Sequence, residues 1–316
     1  MNDGNASVGV LDVVVPARNE AMGLTQQVKH IVSQVSAAKM EPRIILVDDG
    51  SVDHTWDIVK KLSDAEPRRI VGIRLSRNFG KDAALFVGLQ HSRGKAAITI
   101  DADGQHPPEA IGEMVARWRE GYVVVHGRKT ERRGDSWLVR LRAALFNSLM
   151  SWLMGIDVQG TTDFKLLDRQ AVETLLRRQS AHSVYRFLVA SLGFPSVDIE
   201  IQTKPSSRSS RWRIWNLVRL AVRAVMFHTE APINVFVVML LATVGMAAAM
   251  AALLVAALLQ SLVLTEYRAL LLLLVGNLCV TMLGLSGVVV YVKGALDVLS
   301  GRDAGIIWQV VGDVHR

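Results

Sequence analysis

Between residues 8 and 200, short runs rich in Val and Ile (10–15, 44–47, 70–75, 96–100 and 123–125) alternate with stretches of helical spacing. Ala83, Phe86, Val87 and Gln90 form one such stretch, and Ile111, Met114, Val115 and Trp118 another. Uninterrupted apolar runs mark strands covered on both faces, and their alternation with helices predicts an α/β domain, doubly wound about a largely parallel sheet. Ligands of such sheets bind beyond the carboxyl ends of the strands, so the residues just after each run are the candidates for chemistry.

The last third of the chain follows a different pattern. Residues 231–265 contain no Asp, Glu, Lys or Arg, and after Glu266 and Arg268 the stretch 269–292 is again uncharged. Each run exceeds the roughly 20 apolar residues that cross about 30 Å of hydrocarbon. Helices buried in a soluble bundle usually keep a polar stripe, which these lack. Two transmembrane helices, about 233–259 and 269–292, are therefore predicted.

Composition sharpens this division. At about 150 residues per domain, 316 residues allow two domains, and 50% hydrophobic residues with a mean hydropathy of +0.28 is high for a soluble enzyme. The 36 Lys and Arg outnumber the 29 Asp and Glu, for a net charge of +7 and a pI near 9.7, which asks for an anionic partner. Lys204, Arg208, Arg211, Arg213, Arg219 and Arg223 lie within 201–227 with no acid among them, so the excess is mostly a collar before the first span. Nucleic acid is not the expected partner, because no nucleic-acid module is recognisable.

Within that collar, Ile214, Val218, Ala221 and Val225 fall on one helical face and Asn216, Arg219 and Arg223 on the other, behind Trp212 and Trp215. This reads as an amphipathic helix in the membrane interface. Lys293 follows the second span, whereas the connecting turn offers only Arg268, and 1–9 carries no secretory signal. Both termini and the α/β domain are expected on the cytoplasmic side of an inner membrane of bacterial type. The expected organisation is a catalytic domain at 1–203, the basic helix at 204–230, two spans at 231–293 and a cytoplasmic tail at 294–316. Cys279, the single cysteine, excludes an intramolecular disulfide and a zinc site of paired cysteines.

Acids and turn formers collect at the predicted binding edge. Pro16-Ala17-Arg18-Asn19-Glu20 follows the first run, Asp48-Asp49-Gly50-Ser51 the second, and Asp101-Ala102-Asp103-Gly104-Gln105 the fourth. Any one of these serves as a turn or helix cap, but three at successive strand ends point to a site. Asp101 and Asp103 bring two like charges to the end of a buried strand, a cost that a divalent cation would remove. Hard oxygen ligands at this spacing, with Gln105 as a neutral third, suit Mg²⁺ or Mn²⁺ shared with substrate phosphates. Neither common Gly-rich phosphate loop occurs, which leaves a diphosphate to be neutralised by metal and side-chain cations.

Val-Val-Val-Pro-Ala-Arg-Asn-Glu (13–20), Val-Asp-Asp-Gly-Ser (47–51), Ser-Arg-Asn-Phe-Gly-Lys (76–81), Asp-Ala-Asp-Gly-Gln-His-Pro-Pro-Glu (101–109) and Thr-Asp-Phe-Lys-Leu-Leu-Asp-Arg (162–169) occur in this order, followed by two spans. The chain thereby resembles the family 2 glycosyltransferases that make polyprenyl-phosphate sugars. The resemblance covers nearly the whole chain and is specific to the reaction class rather than to the sugar. It implies a nucleotide-sugar-binding fold of the GT-A type, with a UDP- or GDP-linked donor near Pro16, Ala17, Arg18, Glu20, Asp48, Asp49, Asp101 and Ala102. It also implies a metal held by Asp101, Asp103 and Gln105, with catalysis depending on Asp103 and Asp101.

On the acceptor side the resemblance implies cations facing phosphate. Where the family has Gly-x-Arg, this chain reads His126-Gly127-Arg128-Lys129, so Arg128 and Lys129 are alternatives. Arg132, Asp163 and Lys165 of an Asp-Phe-Lys segment similar to the family's Asp-Phe-Arg, and Arg211 of Arg208-Ser209-Ser210-Arg211-Trp212 complete the set; the glycine usual before the last of these is missing. Leu138, Leu141, Leu145, Leu149 and Trp152 recur at helical spacing and form either an interfacial or an ordinary core-facing helix.

The expected activity is hexosyl transfer from a nucleotide sugar to undecaprenyl or dolichyl phosphate at the membrane. A lipid phosphate, with a second pKa of about 6, is largely ionised near neutral pH and needs no general base. In-line attack on the anomeric carbon would invert its configuration. A membrane-anchored nucleotide-sugar-binding protein without transferase activity is one alternative. A processive polysaccharide synthase is another, but the chain lacks Gln-x-x-Arg-Trp and two spans cannot readily enclose a polymer path. Small residues in the spans (Gly245 and Ala249, Gly284 and Gly287) permit close helix contacts, and a homo-oligomer is expected.

Overall fold

The structure is a computed structural model that describes residues 9–129, 160–179, 183–202, 231–260, 265–299 and 305–313. It divides into two compact units, Met1–Leu217 with Arg302–Arg316, and Val218–Gly301. Arg132, Arg211, the predicted helix around 138–152 and the basic helix at 204–230 lie outside the described residues.

In the first unit β1 (Val10–Ala17), α1 (Leu24–Ala37), β2 (Glu41–Asp48), α2 (Thr55–Ala65), β3 (Ile70–Leu75), α3 (Lys81–Gln90) and β4 (Ala96–Thr99) alternate as the apolar runs predict. A short 3₁₀ turn leads to α4 (Ile111–Arg119), β5 (Val124–Lys129), β6 (Thr161–Asp168), α5 (Arg169–Arg178), α6 (Tyr185–Ala190) and β7 (Ser196–Ile201). One eight-stranded sheet results, in the order β7-β5-β6-β4-β1-β2-β3-β8, where β8 is Ile307–Val311. The strands β3, β2, β1 and β4 run parallel, as do β5 and β7; β6 and β8 are antiparallel to their neighbours.

Two apolar layers cover the sheet. α1 buries Leu24, Val28, Ile31 and Val35, one face at helical spacing, against Val13, Val15 and Leu46, with Ile111 and Met114 of α4 in the same layer. On the opposite face α3 buries every residue from Ala84 to Leu89 against Val14, Val47 and Ile73, beside Val172 of α5 and Tyr185 of α6. Gly88 allows this close packing, because a Cβ there would overlap Val14.

Three features depart from the sequence pattern. β6 escapes an apolar-run search because Asp163 and Lys165 stand within it, facing the interior. The second long helix extends to Leu299, beyond the predicted boundary at 293. The segment expected to be a tail returns to the first unit, where β8 pairs with β3.

The second unit is a helical hairpin of α7 (Ala231–Gln260) and α8 (Thr265–Leu299). A Cβ on Gly276 would lie 3.9 Å from Met246 Sδ, and one on Gly284 3.7 Å from Met239 Cε, so the helices run antiparallel and Gly284 serves a contact within the hairpin. Described aliphatic side chains including Leu240, Leu241, Leu278 and Leu283 are exposed. Among the described residues no helix is long and apolar enough to cross a membrane.

Gly50 has a left-handed backbone, φ 63°, and a Cβ there would lie 2.6 Å from the Arg77 carbonyl carbon. Gly50→Ala therefore combines about 1–2 kcal/mol of backbone strain with a backbone collision. The expected outcome is a fall in the thermal unfolding midpoint of the purified protein greater than that for Gly112→Ala, whose Cβ would meet nothing within 4 Å.

Candidate functional site

Parallel register brings the carboxyl ends of β1, β2 and β4 side by side, with Ala17 opposite Asp48 and Val14 opposite Thr99. A pocket of about 350 Å³ opens there. Pro16, Ala17, Arg18 and Glu20 reach it from the end of β1, Asp49 from β2, and Asp101, Ala102 and Asp103 from β4. Asn78, Gly80 and Lys81, from the loop that opens α3, complete the lining.

Side-chain hydrogen bonds hold the loops in place. Asn19, at φ 56°, donates its N–H to Ser51 Oγ (3.0 Å), while its Oδ1 accepts from Val52 N (3.1 Å). Glu20 N donates to Thr55 Oγ1 at 2.9 Å. Asp49 accepts from Phe79 N (2.7 Å) and Gly80 N (3.0 Å), fastening the 76–80 loop across the end of β2. Burial raises the Asp49 pKa, and these two donors oppose the rise. Asp48 lies behind the pocket, fully buried; its Oδ1 accepts from Ser51 N and its Oδ2 faces Arg74 Nε at 3.3 Å.

The most concentrated electrostatics involve residues that the sequence did not single out. Lys81 Nζ lies 2.6 Å from Asp101 Oδ1 and 2.6 Å from Asp163 Oδ2. Arg186 of α6 also reaches Asp163, at 3.2 and 3.1 Å. Burial resists ionisation of Asp163, but Lys81 and Arg186 outweigh it and hold this carboxyl far below the usual range. Asp101 is likewise held low against its burial, by Lys81 and by His106 Nε2 at 3.3 Å. Lys81 is driven upward by the two carboxylates despite desolvation, so it stays cationic.

The proposed metal ligands separate into two groups. Asp101 is engaged by Lys81 and His106, whereas Asp103 accepts from Gln105 N (3.0 Å) and Gln105 Nε2 (2.5 Å). Among the described residues there is no group of three or more His, Cys, Asp or Glu able to hold a metal ion.

The acceptor candidates also divide. Asp163 belongs to the Lys81 network at the pocket's edge. Lys165 is fully buried, and its Nζ lies 2.8 Å from His126 Nδ1, so it is not presented to the pocket. Arg128 pairs with Asp198 at 2.9 Å, and Lys129 is exposed at the end of β5. Lys81 ends the segment Ser-Arg-Asn-Phe-Gly-Lys (76–81), where a lysine opening a helix reads as a solvated cation. Arg186 carries no local signal, because only the tertiary fold brings α6 to β6.

A parallel core whose carboxyl edge gathers acids and cations around a pocket, joined to an antiparallel β6, is a fold of the GT-A type. Residues 12–184 match glycosyl transferase family 2, and the chain belongs to that family. It is 32% identical to an uncharacterized glycosyltransferase of Synechocystis sp., over 72% of this chain and 71% of that one. It is 30% identical to the undecaprenyl-phosphate 4-deoxy-4-formamido-L-arabinose transferase of Shewanella sediminis (73% and 70% covered) and 28% identical to the bactoprenol glucosyl transferase of Shigella phage SfX (72% and 74% covered). The fold is similar to that of glucosyl-3-phosphoglycerate synthase from Mycobacterium tuberculosis, solved with Mn²⁺, UDP and phosphoglyceric acid, with a TM-score of 0.50 at 18% identity over 69% of this chain and 77% of that one.

Burial lowers the Lys165 pKa from 10.5 to about 7. Between those values the unfolded chain binds more protons at this residue than the folded one, so stability should rise as pH increases from about 7 towards 10 and stop depending on Lys165 below 7. Lys165→Met should remove that part of the slope. Melting temperatures of the two proteins across pH 6–10 check this; parallel profiles would contradict it.

Proposed function

We propose that this glycosyltransferase moves a sugar from a UDP- or GDP-linked donor onto a polyprenyl phosphate at a membrane surface. The observation that carries the reading is the convergence of Asp49, Lys81, Asp101 and Asp103 on one pocket at the carboxyl edge of the parallel strands. The family relatives named as undecaprenyl-phosphate and bactoprenol transferases support the acceptor class.

The pocket's own charge supports a divalent cation. Arg18 and Lys81 line it against Glu20, Asp49, Asp101 and Asp103, so an anionic diphosphate would meet a surplus of carboxylates. Asp101 and Asp103 would hold the ion through two hard carboxylate oxygens, a donor type suited to Mg²⁺ or Mn²⁺. Such an ion supplies Lewis-acid stabilisation of the departing diphosphate. Lys81 holds Asp101 in its ionised form and adds a fixed cation beside the leaving group. Asp49 and the Asn19–Ser51 bonds fix the loops around the nucleotide. An ionised lipid phosphate attacks the anomeric carbon without a general base and inverts its configuration.

The membrane reading rests on helices of 30 and 35 residues, the uncharged stretches 231–265 and 269–292, and the exposed aliphatic side chains of α7 and α8. An even number of spans agrees with a chain that leaves the first unit before α7 and rejoins its sheet as β8. The basic collar at 201–227 suits the face that carries the catalytic unit.

The deciding experiment incubates the purified full chain with undecaprenyl or dolichyl phosphate, Mg²⁺ or Mn²⁺, and a panel of labelled UDP- and GDP-sugars. The expected result is one donor whose label becomes lipid-extractable. A donor that binds tightly without transfer would overturn the reading. Asp103→Asn should lower transfer by about 10²–10³-fold, the scale for removing one group that stabilises developing charge. It should leave the unfolding midpoint within a few degrees of the unmodified protein; near-normal turnover in saturating metal would refute the assignment.

A further inference from the structure

The edge strand β8 carries a feature that the pocket lining does not include. Its register with β3 runs Gly72↔Val311, Ile73↔Val310 and Arg74↔Gln309, then shifts, so that Leu75 pairs with Ile307 and Trp308 is the extra residue of a bulge. Bulges re-aim side chains. Here the Trp308 ring lies over the Arg74 guanidinium, 4.8 Å from ring centroid to Cζ, while Trp56 flanks the same guanidinium at 5.7 Å. Trp56 is buried at 4%, but Trp308 remains 62% exposed, a large aromatic surface kept in water where it meets Arg74.

Arg74 in turn addresses the donor pocket from behind. Its Nε lies 3.3 Å from Asp48 Oδ2, an oxygen that is buried and has no hydrogen-bond partner. The other oxygen, Oδ1, accepts from Ser51 N at 3.1 Å, and Ser51 Oγ accepts from Asn19 N at 3.0 Å. Asn19 stands between Arg18 and Glu20, which line the pocket, and Asp49, also in the lining, follows Asp48 directly. A continuous series of contacts thus runs from Trp308 through Arg74, Asp48 and Ser51 to both pocket loops.

We infer that Trp308 and Arg74 are positioning residues for the donor nucleotide, with the carboxyl-terminal strand supplying the outer half of the device. A guanidinium on a flexible stem can face Asp48 in many ways. Stacking between two indoles selects the orientation that holds the guanidinium charge 3.3 Å from Oδ2 and so steadies the turn at 48–51. β8 follows α8 after a short connection, so the strand that orients Arg74 is also the one that returns the chain from the helical unit to the sheet.

This inference rests on the reading that the pocket takes a nucleotide-sugar donor. The test measures UDP and GDP binding by the full-length detergent-purified protein, then KM for the donor and kcat with a fixed saturating polyprenyl phosphate. Trp308→Gln and Arg74→Gln are compared with the conservative Trp308→Phe and Arg74→Lys. Loss of an exposed cation–aromatic contact should raise the dissociation constant and the donor KM by about three- to tenfold, with kcat changed less than twofold. Trp308→Phe should restore most of the affinity, and Arg74→Lys, which keeps charge without a planar group, only part.

If the unmodified protein binds neither nucleotide, the donor reading itself fails. If it binds one and Trp308→Gln binds it equally well, the positioning role is overturned. A lowered melting temperature with unchanged donor KM would likewise assign Trp308 to stability alone. Trp308 is exposed, so its variants keep the test open even if Arg74→Gln does not fold.

Discussion

The carboxylate of Asp163 is the charge on which the rest of the site depends. It sits in the interior at the start of β6, where an unpaired charge would be strongly destabilising, and two cations from separate elements neutralise it. Lys81 comes from the first turn of α3 and Arg186 from α6. Because Lys81 also grips Asp101, one buried charge sets the relative positions of β6, α3, α6 and the loop after β4. The pKa of neighbouring Asp82 is raised, first by burial and then by the Asp163 carboxylate, while the Tyr185 N–H, Arg186 and Lys81 oppose the rise. A constellation of this kind holds its fixed charges before substrate arrives, which is what electrostatic stabilisation of a leaving group requires.

The parallel half of the fold was legible because its strands are buried on both faces and so write uninterrupted apolar runs. The pocket was legible for the same reason: once strand ends are known, the acids after them must share an edge. What the sequence could not distinguish was Asp48 from Asp49. Adjacent residues at a strand end project differently, and only the fold puts Asp49 in the lining and Asp48 against Arg74 behind it. Lys81 and Arg186 were illegible in another way. Their roles depend on a partner far along the chain, Asp163, and no local pattern announces a tertiary ion pair.

The carboxyl-terminal strand illustrates a limit of reading domains as consecutive segments. A short stretch after a long apolar helix looks like a tail, because five residues carry too little periodicity to be assigned. The sheet supplies the missing reason for its structure. β3 would otherwise present an open edge of backbone donors and acceptors, and β8 covers it. Gly312, at φ 92°, ends the strand where a Cβ would lie 2.5 Å from the Ile70 carbonyl oxygen, so the chain's exit there depends on glycine.

The strands that were hardest to recognise are also the most polar inside. On one face of β6, β5 and β7, Asp163, Lys165, His126, Arg128 and Asp198 follow one another across the sheet, with His126 in register with both Lys165 and Asp198. Burial drives His126 down to about 3 and Lys165 to about 7, so the pair can share a hydrogen bond with little charge to solvate. An apolar stripe would hold these strands at lower cost in desolvation. Asp163, held ionised by Lys81 and Arg186, is by contrast a fixed charge that acts strongly because water does not screen it. The polarity that hides β6 from a hydrophobic pattern is thus the same property that allows it to support Asp163 beside the pocket.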